Sequence, residues 1–358
     1  MLTSISIQGF KSLRDVQVEL GQVNVFIGAN GSGKTNLLEA IGLLSAAADG
    51  KIDDQALMRR GVRIGLPNLY RSSFQSGGLA ERVVVQAKGK GTSYEIEIPF
   101  VSSVREEPLP YTTGSKADEA ILKRLRDYAI FAPTTPVLRG LEPDRGQRVP
   151  VGLAGGQLAE AVGDILDTGQ GTLGAVELDE MLELLDWVES VDTVSPSREI
   201  VSPSVPVTRT VIRFTDRWMK QHNNRLSAYD ASEGALYVLF ALVLALHPQA
   251  PALFAIENLY QTMHPRLARA TTRLFCRLVL QAVPPRQALL TTHNPLVLDG
   301  LDLRDERIRL FAVERGSNGP TQVHRVQVSE EVLEATQEGL TLSNLWVMGR
   351  LGGAPDIF

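Results

Sequence analysis

Residues 23–36 read VNVFIGANGSGKTN, and this run constrains the fold more than any other. Val23–Ile27 is nearly all apolar, which suits a strand covered on both faces of its sheet. Gly28-Ala29-Asn30-Gly31-Ser32-Gly33-Lys34-Thr35 fits the pattern G-x-x-x-x-G-K-[ST] in full. Asn36 to Ala48 then carries apolar residues at helical spacing. Strand, glycine loop and helix follow one another without a gap. The glycines let the backbone curl so that several N–H groups face one phosphate chain, and the helix adds the positive end of its dipole. Asn30, Gly31, Ser32, Gly33 and Asn36 are the candidate lining of that cradle. Lys34 would reach the β- and γ-phosphates, and Thr35 would give a hydroxyl to Mg²⁺. A ligand-free glycine turn before a helix would need neither Lys nor Thr at these two places.

Composition narrows the class. The chain has 358 residues, 44% hydrophobic and 22% charged, as a soluble globular protein does. At about 150 residues per domain this is two domains, or one large domain with insertions. A single cysteine, Cys276, excludes a disulfide framework and any Cys-rich metal site, and it fits a reducing cytoplasm. The N-terminal MLTSISIQGFKSL has no basic stretch before an apolar core, so it does not read as a signal peptide. The longest apolar run, Leu236 to Leu246, falls short of the roughly 18 residues that a bilayer requires. No membrane partner is expected, and the expected location is cytoplasmic. The net charge of −5 does not advertise a nucleic-acid binder, although 28 of the 36 basic residues are arginine.

Along the chain, residues 3–9 alternate as a strand, and a second strand begins near Val16. Residues 65–102 are β-rich, with KGKG as a turn. The expected architecture is an N-terminal part of a core over 1–102, carrying the glycine loop and a β subdomain. An insertion over 103–206 follows, loop-rich and then helical, with a short helix near Ala117–Tyr128 and two acidic helices within 157–190. Residues 191–206, rich in Ser and Pro, read as a linker. The core returns over 207–358 with an alternation of strands and helices. No internal repeat or sustained heptad is present.

A phosphate-loop enzyme needs an acid at the end of a second strand to hold the Mg²⁺ shell. Ala252–Glu257 supplies it, with five apolar residues ending in Glu257. A further strand ends in Thr291-Thr292-His293-Asn294. A histidine just past a strand end in a parallel sheet lies at the edge where ligands bind, so His293 is placed to meet a γ-phosphate or an attacking water.

The order of glycine loop, Ser232-Glu233-Gly234 opening a helix, Glu257, and a strand ending in His293 resembles the ABC-type ATPases of the SMC/RecF-like group. In particular it resembles the compact AAA-type ATPases of bacterial defence and overcoming-lysogeny-like systems. The opening ISIQGFKSLRDVQVELGQVNVFIGANGSGKTNLLEAI carries that likeness throughout, and residues 225–300 carry the rest. The resemblance implies an α/β P-loop NTPase fold: a mixed central sheet flanked by helices, with an antiparallel β subdomain and a helical insertion. It implies ATP and Mg²⁺ as ligands. It also implies a homodimer with ATP sandwiched between facing cores, in which Ser232 and Gly234 of one chain cap the γ-phosphate held by the other. Leu153-Ala154-Gly155-Gly156-Gln157 looks like a transporter signature. It lacks the serine and lies about 100 residues before Glu257, so it reads as a glycine turn before a helix.

The pattern departs from the family at the second motif, where Asp-Glu-Pro is usual. Anchoring on His264-Pro265 puts Glu257 in the metal-shell position and Asn258 in that of the catalytic glutamate. Asparagine can orient a water but cannot take its proton, and loss of a general base costs on the order of 10²–10⁴ in rate. The other register makes Glu257 the base and leaves Ile256 where the metal-shell acid belongs. The first register predicts a slow ATPase with a long-lived ATP-bound dimer. Arg71, Gln75 and Gln86 are all candidates for the residue that senses ATP.

Three function classes follow. The first is an ATPase that dimerises on ATP and regulates a separate effector, a nuclease or toxin in anti-phage defence. No nuclease constellation is visible in the chain itself. The second is a RecF-like DNA-binding ATPase of repair or recombination. That reading needs a basic groove, for which Arg59, Arg60 and Arg63, or Lys123, Arg124 and Arg126, are candidates. The third, a transporter's nucleotide-binding subunit, is disfavoured by the missing signature before Glu257. Trp346 near the C-terminus is either a partner contact or part of the core.

Overall fold

A computed structural model describes residues 1–75, 78–100, 109–144, 146–168, 172–173, 176–177, 180–181, 184–205, 209–327 and 340–353. Its labelled elements are β1 (Leu2–Phe10), β2 (Leu13–Glu19), β3 (Val23–Ile27), α1 (Lys34–Ala48), α2 (Asp54–Met58), β4 (Arg82–Gly89), β5 (Thr92–Pro99), β6 (Thr112–Lys116), α3 (Glu119–Arg126) and β7 (Ala129–Phe131). Then come α4 (Leu158–Thr168), β8 (Val188–Val194), β9 (Val211–Asp216), β10 (Arg225–Ser227), α5 (Glu233–Leu246), β11 (Leu253–Glu257), α6 (Pro265–Gln281), β12 (Gln287–Thr292), β13 (Ile308–Arg315), β14 (Thr321–Val326) and α7 (Leu342–Val347).

The central sheet runs β14-β13-β3-β12-β11-β7, with only β14 antiparallel to its neighbour. Period-2 alternation divides its side chains between two cores. Phe254 and Ile256 of β11 pack on one face with α5, and Leu253 and Ala255 pack on the other with α1. This explains why β3, β11 and β12 read as near-continuous apolar runs. The single polar residue of β3, Asn24, is fully buried and satisfied: its Oδ1 accepts from Gly21 N at 2.8 Å, and its Nδ2 donates to Gly21 O at 3.1 Å.

A five-stranded antiparallel sheet, β2-β1-β4-β5-β6, covers the α1 face. Alternating residues such as Val83, Val85 and Ala87 bury against α1, which is apolar around most of its circumference because it lies between two sheets. On the other face α5 buries twelve of its fourteen residues. The fold class read from the sequence, a P-loop NTPase with a mixed central sheet and an antiparallel subdomain, is the observed one.

Two local readings are corrected. The segment read as an insertion delivers an edge strand to the central sheet, because Ala129–Phe131 pairs in parallel with β11. The linker read over 191–206 begins inside a strand: Val188–Val194 carries valines at 188, 191 and 194 between polar residues and pairs with β9, with a register shift between Val188 and Ser190, and β9 pairs with β10. Of the two acidic helices read within 157–190, the first forms as α4; the second falls partly outside the described residues, and Glu180, Met181 and Leu184 within it are helical. The described residues beyond α4 include a short ladder, Thr172–Leu173 against Val176–Glu177. Val207, where the β9 strand was read to begin, lies outside the described residues, as does Val328.

Candidate functional site

The parallel register assembles the site. Ile27 of β3 lies opposite Thr292 of β12, and Thr291 lies opposite Glu257 of β11. The glycine loop, His293 and the Glu257–Asn258 pair therefore emerge together at the C-terminal edge of the sheet, where open α/β sheets bind ligands.

Two glycines are fixed by space and conformation. A Cβ on Gly28 would lie 2.0 Å from Val313 O. Gly33 has φ of 110°, and a Cβ there would lie 2.1 Å from Thr321 Oγ1. Asn30 and Gly31 are exposed at the tip of the loop. Lys34 is only 8% exposed, and its Nζ donates to the carbonyls of Gly28 and Ala29, each at 2.8 Å. Burial pushes its pKa down from 10.5 to about 8, and the nearby Glu257 charge offsets part of this. Ser32 is buried, and its hydroxyl has no hydrogen-bond partner.

The Thr35 hydroxyl donates a very short hydrogen bond to Glu257 Oε1. This contact joins the two residues read as metal ligands. Among the described residues, no cluster of three or more His, Cys, Asp or Glu could hold a metal ion by itself. Mg²⁺ commonly takes one or two protein ligands together with substrate phosphates, and Thr35 with Glu257 fits that pattern. The orphan Ser32 hydroxyl and the desolvated ammonium of Lys34 fit a phosphate chain. Asn36 Nδ2 donates to Ser12 Oγ at 2.7 Å, and Thr321 Oγ1 sits 2.7 Å from both Ser12 Oγ and Ser32 O. The loop is thereby tied to the β1–β2 turn and to β14.

Asn258 adopts φ of 53°, a left-handed conformation that asparagine tolerates better than most residues. Its amide donates to Thr291 O at 3.2 Å. His293 is exposed one residue past β12. The next residue, Asn294, caps a 3₁₀ turn, where its side chain accepts from Leu296 N at 3.0 Å.

Ser232 opens α5 but makes no side-chain capping bond, and it is exposed. Gly234 is buried where a Cβ would lie 2.9 Å from Leu267 of α6. Among the described residues, no hydrogen bond links Ser232 or Gly234 to residues 28–36 of the same chain. The transporter-like loop at 153–157 uses its amides internally. The Asp144 carboxylate accepts from the N–H groups of Gly146, Ala154 and Gly156 at 2.9–3.0 Å.

The basic clusters read as DNA contacts are largely consumed by the fold. Arg60 is buried and bonds Ser45, Ala56 and Asp49. Arg124 donates to the carbonyls of Ala252 and Pro285, and Arg126 to that of Ala48. Among the ATP-sensing candidates, Arg71 donates to Ala80 O and lies over the Phe100 ring, and Gln86 donates to Glu95. Gln75 is exposed. Trp346 is 7% exposed and belongs to the core.

Sequence reasoning missed one charged cluster. Glu39 on α1 is fully buried, with Lys11 Nζ at 2.5 Å and Arg63 Nε at 2.7 Å. Burial pushes the Glu39 carboxyl up, but the bonds from Arg63 and Lys11 outweigh this and hold it below its ordinary value. The Arg63 pKa is raised, first by its hydrogen bond to Glu39 and in lesser part by the charge of Glu257. Arg63 therefore stands within electrostatic reach of Glu257. The only signals in the sequence were the F-K-S turn and an arginine past α2, each ordinary by itself.

Two family models match. One, described as an AAA ATPase domain, matches residues 1–89. The other, described as an AAA domain, putative AbiEii toxin, Type IV TA system, matches residues 197–299. Among curated proteins, the DNA replication and repair protein RecF of Beutenbergia cavernae is 30% identical over 159 residues, 41% of this chain and 33% of RecF. RecF of Clavibacter sepedonicus is 35% identical over 133 residues, 34% of this chain and 31% of RecF. The chain thus spans about a third of the length of these relatives. Among solved structures, the SMC head domain from Thermotoga maritima covers 92% of the chain, and the chain covers all of that head, at TM-score 0.53 and 15% identity. An SMC head bound to the C-winged helix domain of ScpA matches at TM-score 0.58 and 12% identity, with 93% of this chain and 99% of that one covered. These two similarities concern the fold.

Proposed function

We propose a function for what the motifs, the two AAA matches and the SMC-head fold together make an SMC/RecF-like AAA ATPase: an ATP-held dimeric switch that regulates a separate effector. The observation that carries this reading is the Thr35–Glu257 contact beside Lys34, with Asn258 next in line. Glu257 is then the metal-shell acid, and Asn258 stands where a general base is usual. Lys34 exchanges its two loop carbonyls for phosphate oxygens, whose negative charge offsets the desolvation of its ammonium. The Ser32 hydroxyl and the loop amides complete the cradle. Thr35 and Glu257 would hold Mg²⁺, which would supply neutralising charge to the phosphates. Asn258 orients water without accepting its proton, and His293 lies at the same sheet edge for the γ-phosphate side.

Ser232 and Gly234 serve the partner's nucleotide, which accords with the exposed, uncapping Ser232 hydroxyl. The description of the model matched at residues 197–299, putative AbiEii toxin of a Type IV TA system, supports a toxin–antitoxin setting for this switch. The RecF similarity, which spans 41% of this chain but only 33% of RecF, supports a second reading, a DNA-binding repair ATPase.

The test compares ATP turnover and oligomeric state of wild type, Lys34→Ala, Glu257→Gln, Asn258→Asp and Asn258→Glu. Asp tolerates the left-handed backbone of residue 258, whereas Glu pays about 1–2 kcal/mol there. Wild type is expected to dimerise with ATP–Mg²⁺ and turn over slowly, with at least one acidic variant faster. Brisk wild-type hydrolysis that neither substitution changes would make Glu257 the base and favour a motor-like or repair role.

A further inference from the structure

Between Arg266 and Arg277, every exposed position of α6 is arginine. Pro265–Gln281 contains no acidic residue, and its exposed positions include Arg266, Arg269, Arg273 and Arg277. Steps of three, four and four residues keep these on one stripe of the helix. At 1.5 Å per residue the row is about 16 Å long. Like charges at i and i+4 weaken a helix, so local helix stability does not account for the pattern. Arg277 is paired with Glu180 at 2.5 Å. Among the described residues, the side chains of Arg266, Arg269 and Arg273 have no ion pair or hydrogen bond.

Two grooves of about 480 and 450 Å³ flank the row, and Arg273 and Arg277 line both. The first groove adds Arg304 and Arg307. Its acids are engaged locally. Asp305 holds Arg307 at 2.6 Å, Asp299 accepts from the amide and hydroxyl of Ser343, and Asp302 accepts from the amide of Arg304. Among the described residues, Arg266, Arg269 and Arg273 thus stand unpaired on one face of a chain of net charge −5.

We propose that the α6 row is a docking surface for the phosphate backbone of a nucleic acid. Guanidinium forks match phosphate oxygens two at a time. A row of about 16 Å spans four to five phosphates of one strand, at about 3.4 Å per phosphate along a duplex axis. A protein partner would need an apolar anchor at the centre of the contact. Leu184, Leu274 and Leu280 at the groove walls are buried or half-buried, no large apolar residue within Arg266–Arg277 is exposed, and the nearest exposed one along the chain is Val283, beyond the helix. Contacts to phosphate alone position a nucleic acid without reading its sequence. The proposal does not rest on the function assigned to the nucleotide site.

The test is fluorescence anisotropy with labelled DNA of about 20 nucleotides, single- and double-stranded, titrated with the full chain across 50–200 mM KCl. Wild type is compared with Arg269→Gln/Arg273→Gln, and with Arg14→Gln/Lys90→Gln as an exposed control pair from the antiparallel lobe. Thermal melts establish that each variant folds. On duplex DNA each phosphate contact contributes about 0.9 to the slope of log affinity against log salt. The row variant should therefore lose close to 2 units of slope and bind about 60-fold more weakly at 0.1 M salt, and the control should match wild type. DNA that does not bind wild type, or an equal slope in the row variant, overturns the proposal. So does binding of polyglutamate, but not DNA, through the same arginines, which would make the row a dock for an acidic protein.

Discussion

Lys34 should destabilise the nucleotide-free fold, and replacing it should stabilise that fold. Its pKa is lowered from 10.5 to about 8, chiefly by burial. At 1.36 kcal/mol per unit, a shift of about 2.5 units is a penalty of about 3 kcal/mol at pH 7. Its two bonds to loop carbonyls return about 1–2 kcal/mol. Lys34→Met keeps the length of the side chain without the charge, so the variant without nucleotide should gain about 1–2 kcal/mol at pH 7. The sign with pH follows from the same numbers. Between 8 and 10.5 the unfolded chain binds the proton that the folded chain has released, so wild-type stability rises with pH. The advantage of the variant should therefore shrink by about 2 kcal/mol between pH 7 and 9.5. Urea denaturation of both proteins at a series of pH values reads this directly. Saturating ATP–Mg²⁺ should reverse the order at pH 7, because only wild type gains binding energy. A variant less stable than wild type at pH 7, or a gap that ignores pH, would refute the assignment of Lys34 as a desolvated, phosphate-awaiting cation.

Three further outcomes are expected. Glu39→Gln removes the anion between Lys11 and Arg63. A broken buried pair costs about 3–5 kcal/mol, and the 64% exposed Arg63 side chain reduces this to about 2–3 kcal/mol. Because the folded Glu39 pKa is lowered from 4.5, the wild-type advantage should be present above that value and fade as pH falls through the folded pKa, which acid titration of both proteins measures. Gly28→Ala forces a Cβ toward Val313 O. It should cost about 1–3 kcal/mol in a denaturant melt and abolish ATP binding in calorimetry. Ser232→Ala should leave the monomer within about 0.5 kcal/mol of wild type, because no capping bond is lost, yet it should abolish ATP-driven dimerisation in sedimentation. A clear loss of monomer stability would return Ser232 to the role of a helix cap.

The glycine loop was legible because its parts are contiguous: the apolar strand, the turn and the helix occupy 26 consecutive residues, Val23 to Ala48. Glu257 was legible because a strand buried on both faces ends abruptly in a charge. Local patterning failed where distant residues complete a structure. Ala129–Phe131 is three residues long, and only pairing with Phe254–Ile256 makes it a strand of the core. The arginines at 60, 124 and 126 looked solvated because their acceptors are carbonyls and side chains supplied by other elements. Glu39 looked like one acid in an apolar helix, and the cations that neutralise it lie 28 residues before it and 24 after it.

Asn258 shows how the backbone and the chemistry compete for one position. The chain must leave β11 at the end of its pairing with β12 and turn at once, and it does so with φ of 53° and an amide bond back to Thr291. That conformation favours asparagine whatever the chemistry, so the residue type alone cannot tell a turn from a weakened catalytic site. The neighbouring geometry bears on the choice. Glu257 bonds Thr35, and under the proposed metal-shell role for Glu257 the next residue is the one that a base would occupy. A turn residue alone would make Asn258→Asp silent in turnover. A weakened catalytic position would make it faster, and Asp can adopt the same backbone, so the two accounts separate in one assay.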